Sequence, residues 1–180
     1  MSKKLSGIAA PISTPFVNGE VAYDRLRSNV QKYSETALAG FLALGSNGES
    51  MFLTESEKLK VLDLVLQERA DHQLVMAGAG YESTRQTISF SNQVAEMGAD
   101  FVSILTPSYF KKRLTDEAMI GYYTDVADAV PIPVIAYNAP GFTGMTLTPK
   151  VVEVISRHPN VIGMKDTSKG NMSRYLRVTA

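Results

Sequence analysis

Val161-Ile162-Gly163-Met164-Lys165 decides how this chain is read. Four apolar or small residues form a strand-like run, and a lysine ends it. Taken alone, such a lysine reaches solvent along its flexible stem. Two further segments, Gly45-Ser46-Asn47-Gly48-Glu49-Ser50 and Tyr137-Asn138-Ala139-Pro140-Gly141-Phe142-Thr143-Gly144, also follow apolar runs. Strand ends carrying a lysine, a tyrosine and an anion-binding turn meet at one end of an α/β barrel, where such folds place their chemistry. A lysine desolvated in that mouth becomes a nucleophile.

Working outward, short apolar runs alternate with longer amphipathic ones. Strands are expected at Ile8 to Pro11, Gly40 to Leu44, Leu74 to Ala77, Phe101 to Leu105, Val134 to Tyr137 and Val161 to Lys165. Between them the 3.6-residue period predicts helices. Asp24 to Glu35 turns Leu26, Val30 and Tyr33 to one face. Thr54-Glu55-Ser56-Glu57 has the form of a capping box and opens a helix to about Arg69, with Leu59, Leu62, Val65 and Leu66 inward. Helices also fit Ser83 to Met97, Thr115 to Ala129, Pro149 to Ser156 and Ser173 to Val178. Near-continuous apolar strands mean burial on both faces, as in a parallel sheet covered by helices. An open doubly wound sheet is the alternative to a barrel, but no Gly-x-Gly-x-x-Gly turn follows the first strand.

Composition narrows the function. The chain has 180 residues, a length compatible with one domain spanning 1–180, and is 44% hydrophobic and 20% charged. Eighteen basic and 18 acidic residues cancel, so nothing points to nucleic acid. Without cysteine there is no disulfide, thiolate nucleophile or cysteine metal site. His72 and His158 read as surface residues near helix ends, and neither has a second ligand at a recognisable spacing. No apolar stretch is long enough to span a bilayer. Met1-Ser2-Lys3-Lys4 is not followed by the apolar core of a secretory signal, and a cytoplasmic location fits.

Each candidate residue has a plain and a chemical reading. The Gly45–Gly48 glycines allow a tight turn whose amides bind an anion, or simply a βα turn. Glu49 reads as a buried hydrogen-bonding partner of that loop. Tyr137 suits general acid/base work, or is a core tyrosine with its hydroxyl at the rim. Tyr109 offers another hydroxyl on the Thr106–Arg113 loop. Its neighbours Phe110 and Lys111-Lys112-Arg113 mark an exposed or interface segment.

Together these elements resemble the pyruvate-dependent lyase family that includes dihydrodipicolinate synthase and N-acetylneuraminate lyase. The matching segments are Gly45-Ser46-Asn47-Gly48-Glu49, Tyr137-Asn138-Ala139-Pro140 with Thr143-Gly144, and Gly163-Met164-Lys165-Asp166-Thr167-Ser168. The resemblance covers essentially the whole chain and implies a (β/α)8 TIM barrel. In it Lys165 forms a Schiff base with the keto carbon of pyruvate or a 2-keto acid, and Tyr137 transfers protons. Ser46 and Tyr109 form its relay, and the turn of Ser46, Asn47 and Gly48 holds the carboxylate. The amine must be neutral to attack, and burial favours the neutral form. The implied partners are pyruvate and an aldehyde, or a 2-keto acid, with no cofactor and no metal. A homo-oligomer, dimer or tetramer, is implied too, because a neighbouring subunit supplies the residue matching Tyr109.

The chain also departs from the pattern. Dihydrodipicolinate synthases usually carry an arginine at Phe142, where it binds the carboxylate of the aldehyde partner, and two threonines at Ser46-Asn47. Gly-Ser-Asn-Gly-Glu is closer to the 2-keto-acid aldolase branch. An aldolase or lyase is therefore the expected function, with the lysine-pathway synthase as alternative. Glu82 stands where lysine-inhibited synthases tend to have asparagine, which speaks against feedback inhibition by lysine. Family members run to about eight strand-helix units, and this chain covers about the first six. An incomplete barrel opens a further class of function, a non-catalytic interaction module.

Overall fold

Asn18 and Gly19 both adopt left-handed backbone, with φ of 51° and 85°, and make a tight turn. The structure, a computed structural model, describes residues 5–179. The reading of Met1 to Lys4 lies outside the described residues. Strand β1 (Ala9–Pro11) comes first, and the turn then joins β2 (Phe16–Val17) to β3 (Glu20–Val21) in an antiparallel hairpin. Asn-Gly suits this turn because both central residues need positive φ. The hairpin was not expected, although Phe16-Val17-Asn18-Gly19-Glu20-Val21 carries its signal.

Helix α1 (Tyr23–Ser34), β4 (Gly40–Ala43), α2 (Glu55–Glu68) and β5 (Leu74–Gly78) follow. With Glu96–Phe101, the chain through Gly78 makes one of two compact units. In it β1, β4 and β5 run parallel, with Ala9 opposite Gly40 and Gly40 opposite Leu74. A Cβ at position 40 would lie 2.0 Å from the Leu74 carbonyl oxygen, so the close strand approach requires glycine there. Leu26 and Val30 of α1 are fully buried, whereas Tyr33, in the last turn, is exposed. The Thr54 box is present: Thr54 Oγ1 accepts from the Glu57 amide and Glu57 Oε2 from the Thr54 amide. A hydrogen bond from the Thr54 hydroxyl, and secondarily the one from its amide, holds the Glu57 carboxyl below its ordinary pKa. The inward face of α2 is Val61, Leu62, Leu64 and Val65, rotated from the expected one, and Leu59 and Leu66 are half-buried. Buried Asp100 accepts from the Val75 amide at 2.7 Å and pairs with Arg69 at 2.5 Å.

The second unit comprises Ala79–Ala95 and the residues from Val102 onward. Its elements include all but the last residue of α3 (Thr84–Glu96), all but the first of β6 (Phe101–Leu105), α4 (Asp116–Ala129), β7 (Val134–Asn138), the short α5 (Pro140–Thr143), α6 (Pro149–Ile155), β8 (Val161–Asp166) and α7 (Met172–Thr179). Strands β6, β7 and β8 are parallel. Thr115 and Thr148 cap α4 and α6. Asn160 closes α4 by donating to the carbonyls of Ala127, Val130 and Ile132. His158 is half-buried rather than a free surface residue. Its Nε2 pairs with Asp128 and its Nδ1 accepts from the Asn160 amide.

β1, β4, β5, β6, β7 and β8 belong to one sheet in that order. A doubly wound sheet reverses its order at a switch point, and this one does not. The succession is that of the first six strand-helix units of a (β/α)8 barrel. Among the described residues no helix is long and apolar enough to cross a membrane.

Candidate active site

In the second unit, the register of β7 and β8 sets the site. Val134 pairs with Val161 but Ile135 pairs with Gly163, so Ile162 is an extra residue on β8. Side chains alternate along a strand, and one extra residue exchanges the faces of all that follow. The shift brings Lys165 rather than Met164 opposite Tyr137. Lys165 Nζ then lies over the Tyr137 ring, 4.1 Å from its centre. Tyr137 is buried and Lys165 half-buried. The Tyr137 carbonyl accepts from the Thr106 amide and hydroxyl, which fixes the strand end.

Beyond this pair, Asn138 faces Asp166 in the same register and is fully buried. Its Nδ2 donates to Asp166 Oδ1 at 2.8 Å and to the Tyr175 hydroxyl at 3.1 Å, and its Oδ1 accepts from the Leu147 amide at 3.0 Å. Burial, and secondarily the Asp166 carboxylate, raises the Tyr175 hydroxyl pKa. Asp166 also accepts from the Ser168 amide and hydroxyl. In the sequence Asn138 stands only as a member of the segment that follows the apolar run. Its position after Tyr137 was visible, but its partners on β8 and α7 were not.

Tyr109 is 79% exposed, with its ring edge-on to Phe110 at 4.9 Å. Its loop is held by Glu82, whose carboxylate accepts from the Ser108 and Tyr109 amides, each at 2.9 Å. Phe142 on α5 is 72% exposed. Lys111 lies against Gly144: a Cβ there would meet its Nζ at 2.9 Å. The loop bearing Tyr109 thus touches the turn after Phe142.

In the first unit, Ser46, Asn47 and Gly48 form a single 3₁₀ turn. Ser46 is half-buried, Asn47 exposed and Gly48 buried. The turn is bracketed by two non-glycine residues in left-handed backbone, Leu44 (φ 58°) and Glu49 (φ 51°). Such positions carry strain and gather at functional sites. A Cβ at Gly48 would lie 2.8 Å from the Ile12 carbonyl oxygen, and Thr14 Oγ1 donates to the Gly48 carbonyl at 2.7 Å. Glu49 is exposed, not the buried partner expected. Among the described residues no group of three or more His, Asp and Glu side chains is placed to hold a metal.

The family model described as Dihydrodipicolinate synthetase family matches residues 4–180. The chain belongs to this family. It is 34% identical over 168 residues to 4-hydroxy-tetrahydrodipicolinate synthase of Staphylococcus epidermidis, covering 93% of this chain and 56% of that one. It is 35% identical over 174 residues to the enzyme of the same name from Geobacter metallireducens, covering 97% and 59%. The chain therefore spans less than two thirds of the length of these relatives. Among solved structures, the chloride-inhibited dihydrodipicolinate synthase of Acinetobacter baumannii complexed with pyruvate matches with a TM-score of 0.90 at 29% identity, over 97% of this chain and 60% of that one. YagE of Escherichia coli K12, a prophage protein of the same family also in complex with pyruvate, matches with a TM-score of 0.88 at 28% identity, over 96% and 59%.

Proposed function

We propose that this chain is a Schiff-base lyase or aldolase in which Lys165 condenses with the keto carbon of pyruvate or another 2-keto acid. The observation that carries the reading is Lys165 Nζ held 4.1 Å from the centre of the Tyr137 ring at paired strand ends. Membership of the family supports it, as do the two pyruvate-bound relatives.

In this reading the amine attacks C2 of the keto acid, the former carbonyl oxygen takes up protons, and one water leaves as the iminium forms. The iminium is an electron sink. With a 4-hydroxy substrate, the C4 hydroxyl gives up its proton as the C3–C4 bond breaks. An aldehyde departs, and the electron pair stays with C3 as the enamine. Protonation at C3 and hydrolysis return pyruvate and the free amine. Tyr137 transfers the protons, with Ser46 and Tyr109 as its relay. The Ser46-Asn47-Gly48 turn takes the substrate carboxylate. Phe142 faces the aldehyde end and favours an uncharged group there. A homo-oligomer belongs to this reading, supported by the exposed Tyr109–Phe110 pair.

The second reading is 4-hydroxy-tetrahydrodipicolinate synthase, favoured by the names of the two curated relatives. One assay separates the two: pyruvate release from a panel of 2-keto acids beside condensation of pyruvate with aspartate semialdehyde, with Lys165→Ala as blank. Faster cleavage of a 4-hydroxy-2-keto acid supports the first reading. Faster condensation supports the second, and no Lys165-dependent turnover of either kind contradicts both.

A further inference from the structure

We infer that Asn138 and Asp166 form a positioning pair that locks the strand register holding Lys165 over Tyr137; the inference rests on the proposed role of Lys165. Three observations carry it. First, the approach of Lys165 to Tyr137 depends on a one-residue shift at Ile162. A shifted ladder needs a specific contact to hold it, because one step of slippage would put Met164 opposite Tyr137. Second, Asn138 and Asp166 are the next cross-strand pair, and their side chains bond directly at 2.8 Å. Slippage would move Lys165 to the place of Asp166, and an ammonium cannot accept the amide hydrogen that Asn138 donates.

Third, Asn138 is fixed from every side. Its carbonyl accepts from the Thr167 amide, its Oδ1 from the Leu147 amide, and its Nδ2 is shared with Tyr175. Tyr175 donates in turn to the Leu147 carbonyl at 2.8 Å, so α7 braces the same point. A fully buried amide with this many partners has one orientation, and losing its acceptor leaves a buried donor unpaired. The pair touches no reacting atom in this scheme. It acts through Lys165.

The test compares Asp166→Ala with Asp166→Asn in the full chain. Asparagine keeps every bond: its oxygen accepts from Asn138 and Ser168, and its amide donates to the Ser168 hydroxyl. Two readouts are taken. One is the NMR shift of the Lys165 ε-methylene protons, moved upfield by the ring beneath them. The other is the rate at which borohydride traps pyruvate on Lys165. In Asp166→Ala the upfield shift should collapse and trapping at saturating pyruvate should slow tenfold or more. In Asp166→Asn both should recover to within about threefold of the parent. Tyr175→Phe, which keeps its ring packing, serves if Asp166→Ala does not fold, and should give a smaller change in the same direction. An upfield shift unchanged in Asp166→Ala, or in Tyr175→Phe where that variant replaces it, overturns the inference. So does an Asp166→Asn variant as impaired as Asp166→Ala, because charge rather than positioning would then be at work. If the parent traps no pyruvate but the shift collapses in Asp166→Ala, the positioning pair stands and the proposed function falls.

Discussion

Lys165 Nζ lies 4.1 Å from the centre of the Tyr137 ring because β8 carries one residue more than β7 between their first two paired positions. In an unshifted ladder, with Ile162 paired to Ile135, Met164 would stand opposite the tyrosine. A bulge that re-aims a side chain beside a candidate site is a common use of an irregular ladder.

Tyr137→Phe keeps the buried ring under Lys165 and removes only the hydroxyl. Turnover should fall by about 10²–10⁴-fold, the usual effect of losing a general acid/base, while thermal unfolding stays close to the parent. Steady-state kinetics beside a melting curve checks this. Near-normal turnover would make Tyr137 a packing residue alone.

Phe142→Arg places a guanidinium on α5, where an exposed side chain can turn to its substrate. It should raise condensation of pyruvate with aspartate semialdehyde relative to cleavage of uncharged-tail substrates, by roughly tenfold for one carboxylate contact. The ratio of kcat/KM values for the two substrates is the measurement. An unchanged ratio would remove Phe142 from the specificity argument.

The strands were legible because burial on both faces leaves a continuous apolar run, as in Val134-Ile135-Ala136 and Phe101-Val102-Ser103-Ile104-Leu105. The α2 start was legible because a capping box is local chemistry between Thr54 and Glu57. Helix faces were read less well. Tyr33 fits the period of α1 but lies in its last turn, and the α2 face is decided by what packs on it. The bulge at Ile162 has no signature of its own, since register belongs to two strands at once. The Asn138 network likewise joins residues up to 37 positions apart. The Asn18-Gly19 hairpin was there to be read in its turn residues.

Glu82→Ala should free the loop that carries Tyr109. The carboxylate accepts two amides, from Ser108 and Tyr109, and the Ser108 hydroxyl. Hydrogen exchange at those two amides should quicken by roughly tenfold or more when these charge-assisted bonds go. Exchange unchanged at both would show that the loop is held by other contacts.

Asp100→Ala tests the first unit. It leaves half-buried Arg69 without its carboxylate and the buried Val75 amide without that acceptor. Removing one partner of such a pair costs about 3 kcal/mol. Chemical denaturation should show that loss with little change in slope. A loss under about 0.5 kcal/mol, the ordinary range of surface substitutions, would mean that solvent satisfies both groups.

The central claim is that Lys165 is the nucleophile. Incubation with pyruvate and borohydride, digestion and mass spectrometry measure it directly. The account predicts one stable pyruvate adduct, on the peptide containing Lys165, abolished in Lys165→Ala. An adduct on another lysine, or none in folded protein, would contradict it.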